Sequence, residues 1–201
     1  MPVTTLLFDV GGVLLTNGWD RHSRRRVVES FDLDYEEFRD RHEFLAHDFE
    51  IGQIEIGEYL RRTVFYRDRD FTEPEFVAAM QRQSSELAGS MALVEELAGR
   101  GLFLATLNNE SRALNEYRID AFGLRRYFKT FLSSCYLGVK KPEPEIYHLA
   151  FSITQASPAE VLFIDDRSLN IECAADQGLT GILFESADQL RRELSARGVA
   201  T

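Results

Sequence analysis

The sequence predicts an α/β fold in which a parallel β-sheet is sandwiched between helices and a small all-helical unit follows the first strand. From residue 90 onwards, short apolar runs alternate with amphipathic segments, which is the pattern of parallel strands joined by crossover helices. Residues 19–87 instead repeat apolar residues at helical spacing, as in Phe38, Phe44 and Leu45. Because a short apolar run ending at Asp9 precedes them, we expect these helices to be inserted directly after the first strand.

The predicted elements divide the chain into two parts. We expect residues 1–17 and 88–201 to form the α/β core, and residues 18–87 to form the helical insertion. After the insertion, the predicted strands are residues 102–107, 128–132, 161–164 and 182–184. The predicted helices are residues 91–100, 111–122, 144–153, 169–177 and 187–196. Gly101, Gly123 and Gly178 each follow one of these helices closely, where glycine readily takes the left-handed conformation that ends a helix.

Composition excludes several classes of protein. The chain has 201 residues, which suits one domain with a modest insertion and a sizeable core. Its 23 Lys and Arg residues against 33 Asp and Glu residues give a net charge of −10, so nucleic acid is not an expected partner. The sequence has no apolar run long enough to span a bilayer and no signal-peptide pattern at its start. We therefore expect a cytoplasmic protein without a membrane partner. The sequence does not determine the oligomeric state.

Polar or charged side chains follow the first four predicted strands. They are Asp9, then Asn108 and Asn109, then Lys141 in the loop after the third strand, then Asp165 and Asp166. Because the carboxyl ends of parallel strands meet at one edge of a sheet, we expect these side chains to lie close together. Each has an ordinary interpretation when taken alone, such as capping a turn or facing solvent. Together they indicate a site that holds Mg²⁺ beside a phosphate group, where a carboxylate can attack phosphorus.

The carboxylates lie in two motifs that resemble those of the haloacid dehalogenase-like hydrolase superfamily. Residues 7–13 (LFDVGGV) are similar to its first motif and place Asp9 at the nucleophile position. Residues 163–170 (FIDDRSLN) are similar to its fourth motif, with Asp166 as the metal ligand and Asp165 beside it. The fourth motif is specific, whereas the first is a variant.

The amides and the lysine lie in two further motifs of the same superfamily, so the resemblance covers nearly the whole chain. Residues 107–109 (LNN) resemble the second motif, with Asn108 in the usual place of Ser or Thr and Asn109 at the following Asn. Residues 138–147 (GVKKPEPEIY) are similar to the third motif and place its lysine at Lys141.

The resemblance implies a Rossmann-like parallel sheet with a helical cap, and it is strongest to sugar-phosphate phosphatases and the amino-terminal phosphatase domain of epoxide hydrolases. It implies a phosphatase that acts on a small phosphorylated metabolite through an aspartyl-phosphate at Asp9. The implied cofactor is Mg²⁺, and the implied metal-site residues are Asp9, Gly11 through its backbone carbonyl, Asp166 and the adjacent Asp165. The other implied catalytic residues are Asn108, Asn109 and Lys141.

Two positions depart from the family pattern. Gly11 stands where the family usually has a second Asp, which protonates the leaving group and later activates water. Such general acid–base help is typically worth roughly 10²–10⁴-fold in rate. Asn108 keeps a hydrogen-bond donor but is bulkier than Ser or Thr. Either Glu110, His22 or His47 supplies the missing acid, or the enzyme is slow.

These departures leave two other classes of protein open. A metal-independent 2-haloacid dehalogenase also lacks the second Asp and uses its nucleophile to displace halide. The adjacent carboxylates Asp165 and Asp166 argue against it, because a metal-free site for anions has no use for them. The other alternative is a catalytically weak protein that keeps the fold and binds phosphorylated metabolites.

Arg24, Arg25 and Arg26 form the densest basic run in this acidic chain. A solvated helix face is the simpler interpretation of the run. The functional hypothesis is that one of these arginines binds or steers the anionic substrate, since a positive patch attracts anions in a negative field.

Overall fold

The centre of the molecule is a five-stranded, all-parallel sheet, seen in a computed structural model that describes residues 2–199. The strands are β1 (Thr5–Phe8), β2 (Phe103–Asn108), β3 (Thr130–Ser133), β4 (Val161–Asp165) and β5 (Thr180–Leu183). Their order across the sheet is β3-β2-β1-β4-β5, so β1 lies at the centre between β2 and β4. This confirms the predicted fold class. Residues 1, 200 and 201, which the predicted core includes, lie outside the described residues.

Ten helices accompany the sheet within residues 2–199. Those inserted after β1 are α1 (Arg21–Ser30), α2 (Tyr35–Glu50), α3 (Ile56–Thr63) and α4 (Glu73–Gln81). The others are α5 (Ser90–Gly99), α6 (Arg112–Ala121), α7 (Ser134–Leu137), α8 (Pro144–Thr154), α9 (Ser168–Asp176) and α10 (Ala187–Ala196). The bounds of α10 are those predicted. Helix α7 lies between the predicted third strand and the predicted helix at 144–153, where no helix was expected, because four residues are too few to show helical periodicity. None of these helices is long and apolar enough to cross a membrane.

Three apolar clusters hold the chain together. Alternate side chains of β1 point to opposite faces of the sheet, so Leu6 and Phe8 belong to one cluster and Leu7 to another. Helices α1–α4 enclose the third cluster, which is rich in aromatic rings such as those of Trp19 and Tyr59. The assignment of these four helices to a separate cap domain stays a prediction.

Two chain segments connect the inserted helices to the sheet, and hydrogen bonds join the segments to each other. The Thr16 N–H donates to the Ser85 carbonyl (2.8 Å), and the Ser85 N–H donates to the Thr16 hydroxyl (3.0 Å). Arg118 of α6 contacts both segments, because its guanidinium donates to the Thr16 carbonyl (2.9 Å) and to the Ser84 hydroxyl (3.0 Å). The two connections therefore form one bonded unit.

On another side, the end of α2 contacts the region after β3. The Ser134 hydroxyl donates to the Glu50 carbonyl (2.6 Å), and the Glu50 carboxylate pairs with Lys140 (2.9 Å). Gly52 has a φ of +74°, and a Cβ there would lie 2.3 Å from the carbonyl oxygen of Cys135. Only glycine therefore allows this close approach of backbone to backbone.

Candidate active site

Lys141 joins two carboxylates at the carboxyl edge of the sheet. Its ammonium lies 3.1 Å from Asp9 Oδ1 and 2.6 Å from Asp165 Oδ2. Asp9 directly follows β1 and Asp165 ends β4, which are neighbouring strands, so the sheet itself sets this spacing. Asn170 donates to both Asp165 oxygens (3.0 Å each), and the Arg167 N–H donates to Oδ1 (2.8 Å). Asp165 is thus held on several sides by donors.

Asn109 fixes the backbone of Lys141. The Asn109 amide donates to the Lys141 carbonyl (2.8 Å), and its oxygen accepts from the Lys141 N–H (2.8 Å). This reciprocal pair places the Lys141 side chain next to Asp9. Asn109 also lines the cavity described below.

Three carboxylates converge on one point. One oxygen each from Asp9, Asp165 and Asp166 lie within 4.8 Å of one another. Asp166 Oδ1 is buried and has no hydrogen-bond partner within residues 2–199. A buried carboxylate oxygen without a partner is costly, and a hard cation such as Mg²⁺ prefers oxygen ligands of this kind. The donor set therefore fits a divalent cation.

The pKa shifts of Asp9 and Asp166 also favour a bound cation. Burial raises the pKa of Asp9 to about 6; Lys141 opposes this shift and Asp165 adds to it. Burial also raises the pKa of Asp166, again with a contribution from Asp165. The charged forms of Asp9 and Asp166 are thus disfavoured on their own, and a bound cation reverses this preference.

Gly11 and Gly12 follow Asp9 in the turn after β1. Gly12 has a φ of +80°, and a Cβ there would lie 2.1 Å from Asp166 Oδ2, so the bare backbone leaves room for that carboxylate. Gly11 lines the cavity, and a Cβ there would lie 2.7 Å from Asn17 Oδ1. The space where the family usually has its second Asp is therefore partly filled by Asn17.

The side chain of Asn108 takes part in a buried network. It donates to Asn115 (3.1 Å) and accepts from the Ser133 hydroxyl (2.9 Å), and the residue is 1% exposed. Asn108 is not among the described residues that line the cavity. Of the predicted site residues, Asp9, Gly11, Asn109 and Lys141 line it directly.

A cavity of about 520 Å³ lies between the sheet edge and the inserted helices. Its basic lining residues are Arg21, Arg24, Arg118, Lys140, Lys141 and Arg167. Four carboxylate residues also line it, so cations outnumber carboxylates here although the whole chain has a net charge of −10. Such a lining favours an anionic ligand.

Only one of the three suggested replacement acids lies in this cavity. Glu110 lines it, is buried and pairs with Arg118 (3.2 Å); burial raises its pKa, and Arg118 opposes the shift. His22 and His47 are exposed and are not among the lining residues that the structure describes.

The basic run of α1 divides between cavity and surface. Arg24 lines the cavity, and its guanidinium donates to the carbonyl of Trp19. Arg25 pairs with Glu29 (3.1 Å) on the surface, and Arg26 bonds the Gln83 side chain. The structure thus places one of the three arginines where a substrate can reach it.

His42 of α2 also lines the cavity, although sequence analysis did not single it out. It is 6% exposed, and its Nδ1 lies 2.9 Å from the hydroxyl of Tyr59, which accepts from the indole N–H of Trp19 (3.1 Å). The available signal was a histidine four residues after Phe38 on an otherwise apolar face of a predicted helix. Phe44, which the same pattern included, is 82% exposed instead.

We expect His42 to make the free energy of unfolding depend on pH. Burial lowers the pKa of His42 to about 3, with Arg24 and Lys140 contributing, whereas the unfolded chain binds this proton near pH 6.5. The contribution of neutral, buried His42 to the free energy of unfolding is thus fully present above pH 6.5 and falls as the pH decreases towards 3. At pH 5, which is 1.5 units below the pKa of the unfolded chain, the loss corresponds to about 2 kcal/mol.

Urea unfolding at pH 7 and pH 5 measures this effect. We expect the wild type to lose about 2 kcal/mol more than His42→Gln over this interval. His47→Gln, an exposed histidine of the same helix, should behave as wild type. Equal losses in wild type and His42→Gln would contradict the expectation.

The fold and the carboxylate site together define a hydrolase class. The family model of haloacid dehalogenase-like hydrolases matches residues 3–178, and the chain belongs to this family. Flavin mononucleotide hydrolase 1 of Arabidopsis thaliana is 32% identical over 159 residues, which are 79% of this chain and 64% of that protein. Bifunctional epoxide hydrolase 2 of Mus musculus is 38% identical over 71 residues, which are 35% of this chain and 13% of that protein. The chain thus covers less than two thirds of either relative.

Solved structures show the same fold at lower identity. A HAD family enzyme from Bacteroides thetaiotaomicron, in complex with magnesium and inorganic phosphate, has a TM-score of 0.75 at 23% identity, covering 92% of this chain and 95% of that one. An L-2-haloacid dehalogenase from Xanthobacter autotrophicus has a TM-score of 0.63 at 20% identity, covering 98% and 84%. The same fold therefore occurs both in a HAD family enzyme in complex with magnesium and phosphate and in a haloacid dehalogenase.

Proposed function

We propose that this chain is a Mg²⁺-dependent phosphatase that acts on a small phosphorylated metabolite through an aspartyl-phosphate at Asp9. The observation that carries the proposal is the carboxylate cluster of Asp9, Asp165 and Asp166, with an unpartnered Asp166 oxygen and Lys141 at 3.1 Å from Asp9. A relative that hydrolyses flavin mononucleotide and a similar structure that binds magnesium and phosphate support it.

Each side chain has a distinct part in the proposed reaction. The Asp9 carboxylate attacks phosphorus, the bond to the leaving oxygen breaks, and water then hydrolyses the aspartyl-phosphate to free the carboxylate and phosphate. Lys141 places a positive charge where the phosphate oxygens lie. Asn109 holds the backbone of Lys141, and Asp165 orients its ammonium.

Asp9, Asp166 and the carbonyl of Gly11 are the residues that we assign to Mg²⁺. When bound, the ion neutralises charge on the phosphate oxygens. Asp165 directs its oxygens to Lys141 and Asn170, so we assign it an orienting role beside the metal. Gly11 leaves the family's usual acid–base position without a carboxyl group, and we expect slow turnover of substrates whose leaving groups need a proton.

The test is release of nitrophenol from p-nitrophenyl phosphate, whose leaving group needs little protonation. We expect turnover with Mg²⁺, loss of turnover with EDTA and recovery when Mg²⁺ is restored. Removing one carboxylate charge from the cluster should lower its affinity for Mg²⁺. In a calorimetric titration, Asp166→Asn should therefore bind Mg²⁺ at least about tenfold more weakly than the wild type.

Two results would replace the proposal by an alternative. Chloride release from 2-chloropropionate without metal would indicate a dehalogenase. Turnover of neither compound would indicate a binding protein. Unchanged Mg²⁺ affinity in Asp166→Asn would remove this carboxylate from the metal ligands.

A further inference from the structure

Arg24 differs from the other buried or half-buried cations of the cavity. Lys140, Lys141 and Arg118 each pair with a carboxylate. Arg24 is half-buried and has no carboxylate within 4.0 Å among residues 2–199; it is held by the backbone carbonyl of Trp19 instead. Its positive charge therefore has no protein counter-ion in this part of the chain.

His42 presents a hydrogen-bond donor to the same cavity. The Tyr59 hydroxyl is fully buried and already accepts from Trp19, and His42 Nδ1 is the acceptor that the described residues offer its proton. Donation of that proton to Nδ1 leaves the hydrogen of the neutral ring on Nε2. Nε2 forms no hydrogen bond with residues 2–199 and is not fully buried. Because His42 lines the cavity, we take Nε2 to face it.

Trp19 links these two donors. Its carbonyl holds the Arg24 guanidinium, and its indole N–H holds the Tyr59 hydroxyl that sets the His42 ring. Nearby cations, Arg24 and Lys140, also keep the pKa of His42 low. A fixed neutral N–H beside an uncompensated guanidinium is a donor pair for an anion, since charge-assisted hydrogen bonds to oxyanions are the strong ones.

We propose that Arg24 and His42 form a second oxyanion subsite, and that the substrate is a phosphomonoester whose organic part carries a carboxylate or a second phosphate. This inference rests on the proposed phosphatase function, because it takes Asp9 and Lys141 to bind the phosphate that is hydrolysed. The two subsites lie in one cavity of about 520 Å³, a size typical of sites for small metabolites.

Matched pairs of phosphate esters test the subsite. 3-Phosphoglycerate and glycerol 3-phosphate differ by a carboxylate, and fructose 1,6-bisphosphate and fructose 6-phosphate differ by a second phosphate. We expect kcat/KM of the wild type to be about 10- to 100-fold higher for the two-anion member of at least one pair, from the strength of a charged hydrogen bond. Which pair shows the preference distinguishes carboxylate from phosphate.

Variants assign the preference to residues. Arg24→Gln should bring the ratio close to one, and Arg24→Lys should restore part of it. Tyr59→Phe should raise KM for the preferred ester with little change in kcat, because it frees the His42 ring. Arg26→Gln, on the outer surface of the same helix, should keep the wild-type ratio. A ratio near one in the wild type, or an unchanged ratio in Arg24→Gln, would overturn the subsite.

Binding measurements separate this inference from the proposed function. Trp19 is the only tryptophan of the chain and lines the cavity, so its fluorescence reports binding. In the presence of Mg²⁺, we expect Asp9→Asn protein to bind the two-anion ester of the preferred pair more tightly than its one-anion partner. The additional change Arg24→Gln should remove that preference. Failure of the wild type to hydrolyse any ester would reject the phosphatase. Equal binding of both members in both pairs would reject the subsite.

Discussion

Asp9→Asn is expected to lower kcat/KM for phosphate release by about 10⁴-fold or more, which is the scale of losing a catalytic nucleophile. The amide that replaces the carboxylate is a poor nucleophile and cannot form the aspartyl-phosphate. The fold should survive, because burial disfavours the charge of Asp9 and Lys141 keeps its closer contact with Asp165. Single-turnover phosphate release and thermal unfolding measure the two effects.

Asp176→Asn provides the matched control, because Asp176 is an exposed carboxylate at the end of α9. We expect it to keep wild-type activity. Substantial phosphate release by folded Asp9→Asn would show that another group attacks phosphorus, and the aspartyl-phosphate would have to be abandoned.

Gly12→Ala is expected to lower kcat/KM by about 100-fold or more, on the scale of a 1 Å misplacement in a site. The added methyl group would lie 2.1 Å from Asp166 Oδ2, so the carboxylate has to move away from the cluster. The φ of +80° adds a backbone cost of about 1–2 kcal/mol for a residue with a side chain. Steady-state kinetics over a range of Mg²⁺ concentrations should show that more Mg²⁺ is needed for half-maximal activity, together with the lower maximal activity.

Gly178→Ala separates strain from collision. Gly178 has a φ of +81°, and a Cβ there would meet no heavy atom within 4 Å. We expect Gly178→Ala to lose about 1–2 kcal/mol of unfolding free energy, which is the same backbone cost, and to keep the wild-type kcat/KM. If both variants lost activity alike, backbone strain alone would explain the result, and the contact between Gly12 and Asp166 would have no role.

The fold and the positions of the strand ends are predictable from this sequence because they follow from local patterns. Apolar runs of strand length alternate with helical segments, and the sheet brings Asp9 and Asp165 together through the pairing of β1 with β4. Asn109 lies at the same edge for the same reason, whereas Lys141 follows β3 only after α7 and is held at the edge by its hydrogen bonds with Asn109. The placements of Asp9, Asp165 and Asn109 depend only on parallel pairing and on where each strand ends.

Side-chain direction is not predictable in this way. Asn108 pairs in register with Ser133 of the neighbouring strand, and its amide bonds there and to Asn115. That outcome depends on a partner 25 residues away. His42 was missed for a similar reason, because its ring is set by Tyr59 from another helix.

The bonded connections at Thr16 and Ser85 have a consequence for how substrate enters. Because Arg118 and the hydrogen bonds between the two segments tie them together, we expect the two connections to move as one unit, so that any displacement of the inserted helices would be a rotation about this point. On the opposite side, the ion pair of Glu50 with Lys140 is partly exposed, and such ion pairs contribute little stability. We therefore expect any opening of the cavity to occur on the Glu50 side, so that an incoming metabolite would pass Lys140 before it reached Asp9.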